Sequence, residues 1–432
     1  MRTSEKRIVK LNDFSYDFSS IIASPDCRHI AFIAESGKGQ CLVLDNRRSI
    51  EYDSIDYLTF SPDSMSVAYC AKRRWWLFKK SIVVVDDTAR RREYEYGAIP
   101  HTLVFSPDSR RLAYFGTPDY IIEEVRVPVI KEGKVIEKLQ FPWLKDEKAS
   151  DLLTGPSYSP DLSRFWFASY QESGIILREG WRIHIYGSIW GREEKFCEYA
   201  AGSPIVSSDG CHIAYVSRSQ PYGIRTGPDS LVLDNRELSK HKLIHADSLS
   251  FCPKGKRIAY WAEDKGECFV VCDGQQGVLK YKENVGPIIF SQDGAHMAYA
   301  ARDGNRCCVV VDGIEKWSYE EVIPGSITFC PNGTRVAFVA SQLGKHHIVV
   351  EGMEGERFSE IAADSVTFSP DGNRVAYWAQ QTGEWFCVMG ELRGSPSYCI
   401  VGKARLRWDS SEQLHYLRLK DGMVFLVEED LR

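Results

Sequence analysis

Thr367-Phe368-Ser369-Pro370-Asp371-Gly372-Asn373-Arg374-Val375-Ala376-Tyr377 is the stretch from which the fold follows. Ser-Pro-Asp-Gly has the residues of a type I turn: proline presets φ at the second position, aspartate suits the third and glycine the fourth. Val366, Thr367 and Phe368 before the turn favour β structure. Val375-Ala376-Tyr377-Trp378-Ala379 after it is apolar on both faces, as in a strand sandwiched between two layers. Further on, Trp385-Phe386-Cys387-Val388-Met389-Gly390 reads as a third strand ending in a glycine turn, and Ser397-Tyr398-Cys399-Ile400-Val401 as a fourth. The unit is therefore four short antiparallel strands, and one such sheet alone can bury neither face.

The unit recurs ten times, anchored on Pro25, Pro62, Pro107, Pro160, Ser208, Pro253, Gln292, Pro331, Pro370 and Ser410, at spacings of 37 to 53 residues. Four-strand repeats of that length are the signature of propeller blades packed face to face around an axis. The fold expected is all-β: a single closed β-propeller of about ten blades spanning residues 1–432, with blades starting near 22, 59, 104, 157, 205, 249, 288, 327, 366 and 406. The tenth copy, from Trp408, has a third strand at Val424-Phe425-Leu426-Val427 but lacks a fourth. Residues 1–21 are expected to complete it, through Ser15-Tyr16-Asp17-Phe18-Ser19-Ser20-Ile21, which resembles Glu51-Tyr52-Asp53-Ser54-Ile55-Asp56-Tyr57 before the second copy. Such closure leaves no open sheet edge. The alternative is two smaller rings, with the Pro107 to Pro160 gap as the place for a boundary.

Composition agrees. Apolar residues make up 44% of the 432, which excludes a mainly disordered chain, and a net charge of −5 argues against a globally basic nucleic-acid binder. No apolar run approaches the ~18 residues that span a bilayer, and the start, Met1-Arg2-Thr3-Ser4-Glu5-Lys6-Arg7, leads into polar sequence, so a cytoplasmic chain with no membrane insertion is expected. Thirteen cysteines are scattered without metal-ligand spacing. They are expected to be reduced and structural, with Cys252 and Cys330 replacing the serine of the turn motif and Cys268, Cys272, Cys307, Cys308 and Cys387 in third strands.

The Phe-Ser-Pro-Asp-Gly hairpin followed by Ala-Tyr, as in Phe368 to Tyr377, resembles the WD-repeat-like blades of the TolB family and of the propellers attached to prolyl-oligopeptidase and tricorn-type peptidases. The resemblance covers nearly the whole chain and implies fold rather than function, since related blades serve scaffolds, peptidase gates and polysaccharide lyases. The peptidases' Gly-x-Ser-x-Gly elbow is absent, Gly187-Ser188-Ile189-Trp190-Gly191 having its serine one place early. No phosphate loop, His-Glu-x-x-His or EF-hand appears, and no catalytic residue, cofactor or metal is assigned. Some TolB-like propellers resemble oligogalacturonate lyase, whose metal ligands project into the ring, and by that resemblance His29, His212 and His296, at corresponding places in three copies, are candidates for a three-histidine site. They fall in blades 1, 5 and 7, too far apart to converge, and read as turn-proximal basic residues. Adjacent His346 and His347 point to opposite faces. Asp273-Gly274, Asp312-Gly313 and Glu351-Gly352 read as hairpin turns rather than calcium loops.

Agreement among the copies marks what a blade needs, and disagreement marks where a partner could be read. The large insertions all fall on the face bearing the 2–3 hairpins and 4–1 connections. Blade 2 carries Lys72-Arg73-Arg74-Trp75-Trp76-Leu77-Phe78-Lys79-Lys80. The blade 3 to 4 connection carries Phe141-Pro142-Trp143-Leu144-Lys145, blade 4 carries Ile175-Ile176-Leu177, and blade 5 carries Ser219-Gln220-Pro221-Tyr222-Gly223-Ile224-Arg225. Blades 6 to 9 are near-minimal. Contiguous elaborations on one face of a rigid scaffold are how binding surfaces are built, and Trp, Tyr and Arg dominate interface energetics. The expected contact residues for a protein partner are Trp75, Trp76, Phe78, Trp143, Leu144, Tyr222 and Arg225. The competing reading is that these loops cover one another and the ring. The basic stretch from Lys72 to Lys80, with Arg90-Arg91-Arg92, is the one place suited to nucleic acid, although solvated basic turns explain it as well. The function expected is a non-catalytic interaction scaffold. The alternatives are a carbohydrate-active lyase or hydrolase with its site at the channel mouth, and a peptide or glycan receptor using the channel.

Overall fold

The computed structural model describes every residue other than 38, 76–77, 88–90, 95–96, 100–101, 117–118, 122–123, 133, 143–152, 159–163, 174–177, 188–190, 199, 219–226, 235 and 402–404. Among the described residues there is no α-helix, and the strands form ten separate antiparallel sheets, numbered here 1 to 10 in chain order. Sheet 9 shows the plan. Its first strand comes in two pieces, Glu360–Ile361 and Thr367–Phe368, followed by Val375–Gln381, Glu384–Met389 and Leu392–Arg393.

The turn that begins each hairpin is built as its residues require. The Gly372 amide donates to the Ser369 carbonyl at 2.8 Å, and Gly372 has φ +73°, a conformation that costs glycine little. The buried Ser369 hydroxyl donates to Asp371 at 2.5 Å and accepts from the Arg374 amide at 3.0 Å. Ser61, Ser106, Ser207 and Ser291 repeat both bonds. In sheet 8 the Cys330 thiol stands in the same place, accepting from the Arg335 amide at 3.1 Å. A second device lay hidden in the sequence. The Ser365 hydroxyl donates to the Ala362 carbonyl at 2.6 Å and accepts from the Trp378 amide at 2.9 Å, filling the gap where the first strand divides. Ser248 and Ser326 do the same in sheets 6 and 8.

The Asp-Gly pairs are hairpin turns, as their composition suggests. Asp312 and Gly313 have φ of +52° and +76°, and the Asp312 carboxylate accepts from the Met297 amide at 2.9 Å. The fourth strand follows that turn at once, which corrects the sequence assignment. In sheet 9 it is Leu392–Arg393, whereas the segment expected there, residues 397–401, crosses between sheets: Ser397 bridges Trp385 and Ile400 bridges Arg418. Fourth strands escaped notice because several are exposed on both faces, as Arg47–Arg48 and Gln275–Gln276 are, and so lack apolar alternation.

Core clusters join successive sheets. Leu42, Leu44, Leu58 and Tyr69 belong to one cluster between sheets 1 and 2, and Trp261, Val270, Tyr299 and Val310 to one between sheets 6 and 7. Others join sheets 2 and 3, 5 and 6, 7 and 8, 8 and 9, and 9 and 10. Phe115 of sheet 3 meets Phe167 of sheet 4 edge to face at 5.4 Å between centroids. Sheet 10 packs in turn on sheet 1, where Leu417, Val424 and Leu426 share a cluster with Ile30, Phe32 and Val43.

Sheet 10 consists of Arg407–Trp408, Gln413–Lys420, Met423–Asp430 and the N-terminal strand Arg2–Lys10, which runs antiparallel to Met423–Asp430 from Arg2↔Asp430 to Lys10↔Met423. The chain's first residues thus do complete its last sheet, but through this strand. Ser15–Tyr16 pairs instead with Ile30–Ser36 in sheet 1. Arg2–Lys10 is almost wholly exposed, so it showed no strand-like apolar pattern. Buried Glu429 fastens it, accepting from Thr3 at 2.6 Å and from the Tyr416 hydroxyl at 2.9 Å.

Candidate functional site

Three consecutive sheets are extended on one side. In sheet 2, Ser66–Trp75 and Phe78–Asp87 are each ten residues long and paired to the end, Trp75 opposite Phe78. The insertion expected there as a loop is a lengthened 2–3 hairpin. Sheet 4 has the same feature in Arg164–Ser173 and Arg178–Gly187, and in sheet 3 Glu124–Lys131 pairs with Lys134–Pro142 out to Glu124↔Pro142. The corresponding second strands of sheets 6 to 9 have seven residues.

Of the expected contact residues, Trp75 and Phe78 therefore stand at a hairpin tip. Trp76, Trp143, Leu144, Tyr222 and Arg225 lie outside the described residues. The basic residues of sheet 2 are partly compensated. Lys72 Nζ is 3.1 Å from Asp56, and Arg91 pairs with Glu93 and stacks 5.3 Å over the Tyr52 ring. Exposed Arg73 is register partner to exposed Lys80, like charges placed across one hairpin.

The histidines expected not to converge each serve their own sheet. His29, His212 and His296 place Nδ1 at 2.8, 2.6 and 2.7 Å from Asp45, Asp234 and Asp312, the residues of the third-to-fourth turns. The Asp45 hydrogen bond raises the His29 pKa above the usual imidazole value. His346 Nδ1 accepts from the Ile361 amide of sheet 9 at 3.2 Å, while buried His347 meets the Tyr319 ring of sheet 7, so the two do face apart.

Two further features carry chemical potential. A cavity of about 420 Å³ is lined by Ile22 and the turn residue Cys27 of sheet 1, by Leu58 and Phe60 of sheet 2, and by Arg405 and Arg407 at the start of sheet 10. In sheet 6, His245, Glu263 and Cys268 bring one ligating atom each to within 4.8 Å of one another. Cys268 and Glu263 are cross-strand partners, Leu243 pairs with Glu263 on the other side, and the His245 amide donates to the Trp261 carbonyl at 3.0 Å. Burial pushes the Cys268 thiol pKa up, and the Glu263 charge adds to the shift. Sequence spacing did not show this group because its members come from two strands and the turn that follows a third. The cysteines described are free thiols, most of them buried, as expected of structural residues.

No protein-family model and no curated protein matches the chain. Solved structures of similar fold include a eukaryotic initiation factor, with 13% identity over 85% of this chain and 94% of that one and a TM-score of 0.47. The β-propeller domain of the trilobed protease from Pyrococcus furiosus gives 15% identity over 80% and 97% with a TM-score of 0.35, and TolB from Acinetobacter baumannii 14% over 68% and 80% with a TM-score of 0.28. The likeness extends to fold and no further.

Proposed function

We propose that residues 1–432 form a single closed propeller of ten blades and act as a non-catalytic scaffold in the cytoplasm, docking a protein partner on the face that carries the 2–3 hairpins. The ring reading is supported by sheet-on-sheet packing that continues from sheet 10 back to sheet 1. The observation that carries the scaffold reading is the extension of sheets 2, 3 and 4 on one side, next to sheets of minimal length. Paired strands are already ordered before binding, so a hairpin loses little entropy when it docks, which suits recognition. Trp75 and Phe78, paired at the end of one hairpin, are contact residues of this reading, together with Trp76, Trp143, Leu144, Tyr222 and Arg225, which lie outside the described residues. The test is to purify the tagged protein gently from its own cell and identify what accompanies it in fixed ratio. Replacing both Trp75→Ser and Trp143→Ser should release that partner while the melting temperature stays constant. Undiminished retention would sink the assignment.

One observation favours a second reading, a receptor for a small anionic ligand. The cavity beside Arg405 and Arg407 has the volume of small-molecule sites, which run from about 300 to 1,000 Å³. A melting screen with carboxylated sugars and short acidic peptides distinguishes it: a shift abolished by Arg407→Ala supports the receptor, and no shift across the set leaves the scaffold.

A further inference from the structure

We propose that His245, Glu263 and Cys268 bind one divalent cation of the zinc class at the seam between sheets 6 and 7. The three ligating atoms lie within 4.8 Å of one another. Zn–N and Zn–S bonds of about 2.0 and 2.3 Å place tetrahedral ligands roughly 3.3 to 3.8 Å apart, so small rotamer shifts close the site. A nitrogen, a carboxylate oxygen and a thiolate sulfur form a donor set that favours zinc over the hard cations calcium and magnesium.

A second observation concerns the same imidazole. His245 Nε2 is buried and has no hydrogen-bond partner among the described residues, an arrangement that buried polar atoms rarely keep. Coordination would use such a nitrogen. Cys268 is fixed from behind, its amide donating to the Tyr281 carbonyl at 2.8 Å, and its sulfur is 3.7 Å from the Lys282 carbonyl. Glu263 is partly exposed, with Lys242 Nζ 4.0 Å away, so a path to solvent exists.

The other sheets supply an internal comparison. At the position of His245, sheets 7, 8 and 9 carry Val285, Ile323 and Ala362. At that of Glu263 they carry Arg302, Ser341 and Gln380, and at that of Cys268, Cys307, His346 and Trp385. Among these four sheets only sheet 6 has a ligating side chain at all three places, so the group is not a by-product of the repeat. On binding, the Cys268 thiol gives its proton to solvent and its sulfur lone pair to the metal. Three protein ligands leave a fourth position for water.

Titration of the metal-stripped full-length protein with Co²⁺ tests the assignment. One equivalent should produce a thiolate-to-cobalt charge-transfer band and d–d bands of tetrahedral intensity, both displaced by Zn²⁺. The charge-transfer band should vanish in Cys268→Ser and persist in Cys272→Ser and Cys307→Ser. Glu263→Gln and His245→Ala should each weaken binding at least tenfold. Because a buried substitution can unfold the sheet, wild-type protein provides a second measurement: one equivalent of Zn²⁺ should protect the Cys268 peptide from alkylation in preference to the other cysteines. Absence of the band, its survival in Cys268→Ser, or equal alkylation of Cys268 with and without Zn²⁺ would overturn the proposal.

Discussion

His415 Nε2 donates to the backbone carbonyl of Asp26 at 2.6 Å, joining the turn of sheet 1 to the second strand of sheet 10 across 389 residues of sequence. Its Nδ1 lies 2.7 Å from the Asp409 carboxylate, which Arg28 of sheet 1 also grips at 3.0 Å. The His415 side chain is almost fully buried. His415→Ala leaves the part-buried Asp26 carbonyl without its donor and takes a partner from the Asp409 carboxylate, a loss of about 1 to 3 kcal/mol. His212→Ala removes a histidine–aspartate pair from a side chain that is 42% exposed and should stay within about 0.5 kcal/mol of the parent. Urea denaturation of the two variants gives the comparison; equal losses would mean that the seam is no tighter than an ordinary blade.

The turn serine makes a graded prediction. Ser369→Ala strands the Arg374 amide and removes the Asp371 acceptor bond, and should cost about 1 to 2 kcal/mol. Cys330→Ser places at sheet 8 the residue that six other described turns use, Ser24 among them, and its hydroxyl can accept from the Arg335 amide as the thiol now does. That variant should melt at or slightly above the parent temperature, whereas a large drop would mean that the sulfur's packing matters more than the turn bonds.

Legibility followed the side chains that do two jobs. Ser369, Asp371 and Gly372 both make the turn and spell it, so the hairpin and its repetition could be read directly. Arg2–Lys10 was missed because a strand exposed from Arg2 to Arg7, with only Val9 buried, needs no apolar alternation, only backbone partners and the few bonds made by Thr3 and Glu5. The Lys72 to Lys80 stretch looked like a loop because charge and tryptophan interrupt the apolar pattern, yet a hairpin extending past its sheet loses neighbours on both faces and is free to be polar. The His245, Glu263 and Cys268 group has no linear signature, since Glu263 and Cys268 meet through strand register and His245 joins them from the turn that divides the first strand.

Gly352 should tolerate a side chain less well than Gly313. Both have φ near +80°, where an alanine pays about 1 kcal/mol or more in backbone strain. At Gly313 a Cβ meets open space, but at Gly352 it falls 2.6 Å from Trp317 Nε1. Gly352→Ala should therefore lose more than Gly313→Ala by about 1 kcal/mol, the cost of moving a packed side chain, and should change the tryptophan fluorescence. Matching losses would show that the Trp317 ring moves aside freely.

His347 gives the clearest pH dependence. Its side chain is fully buried, neither ring nitrogen has a hydrogen-bond partner among the described residues, and Glu354 comes no nearer than 3.8 Å. Burial lowers its pKa below the usual imidazole value, Glu354 opposing the shift and Arg357 and His346 adding to it. The folded protein thus holds His347 neutral where the unfolded chain, with an imidazole pKa of about 6.5, takes up a proton. By linkage, stability is full above that value and falls as pH drops below it, until the lowered folded pKa is passed. His29, raised by Asp45, works with the opposite sign, losing its contribution as pH rises past the ordinary value. The difference between parent and His347→Leu isolates the buried ring. At neutral pH the leucine variant should be more stable by about 1 kcal/mol, since unpaired polar atoms leave the core. Its advantage should widen between pH 6.5 and the acid limb, and a gap that stays constant with pH would show that the buried imidazole is hydrated in solution.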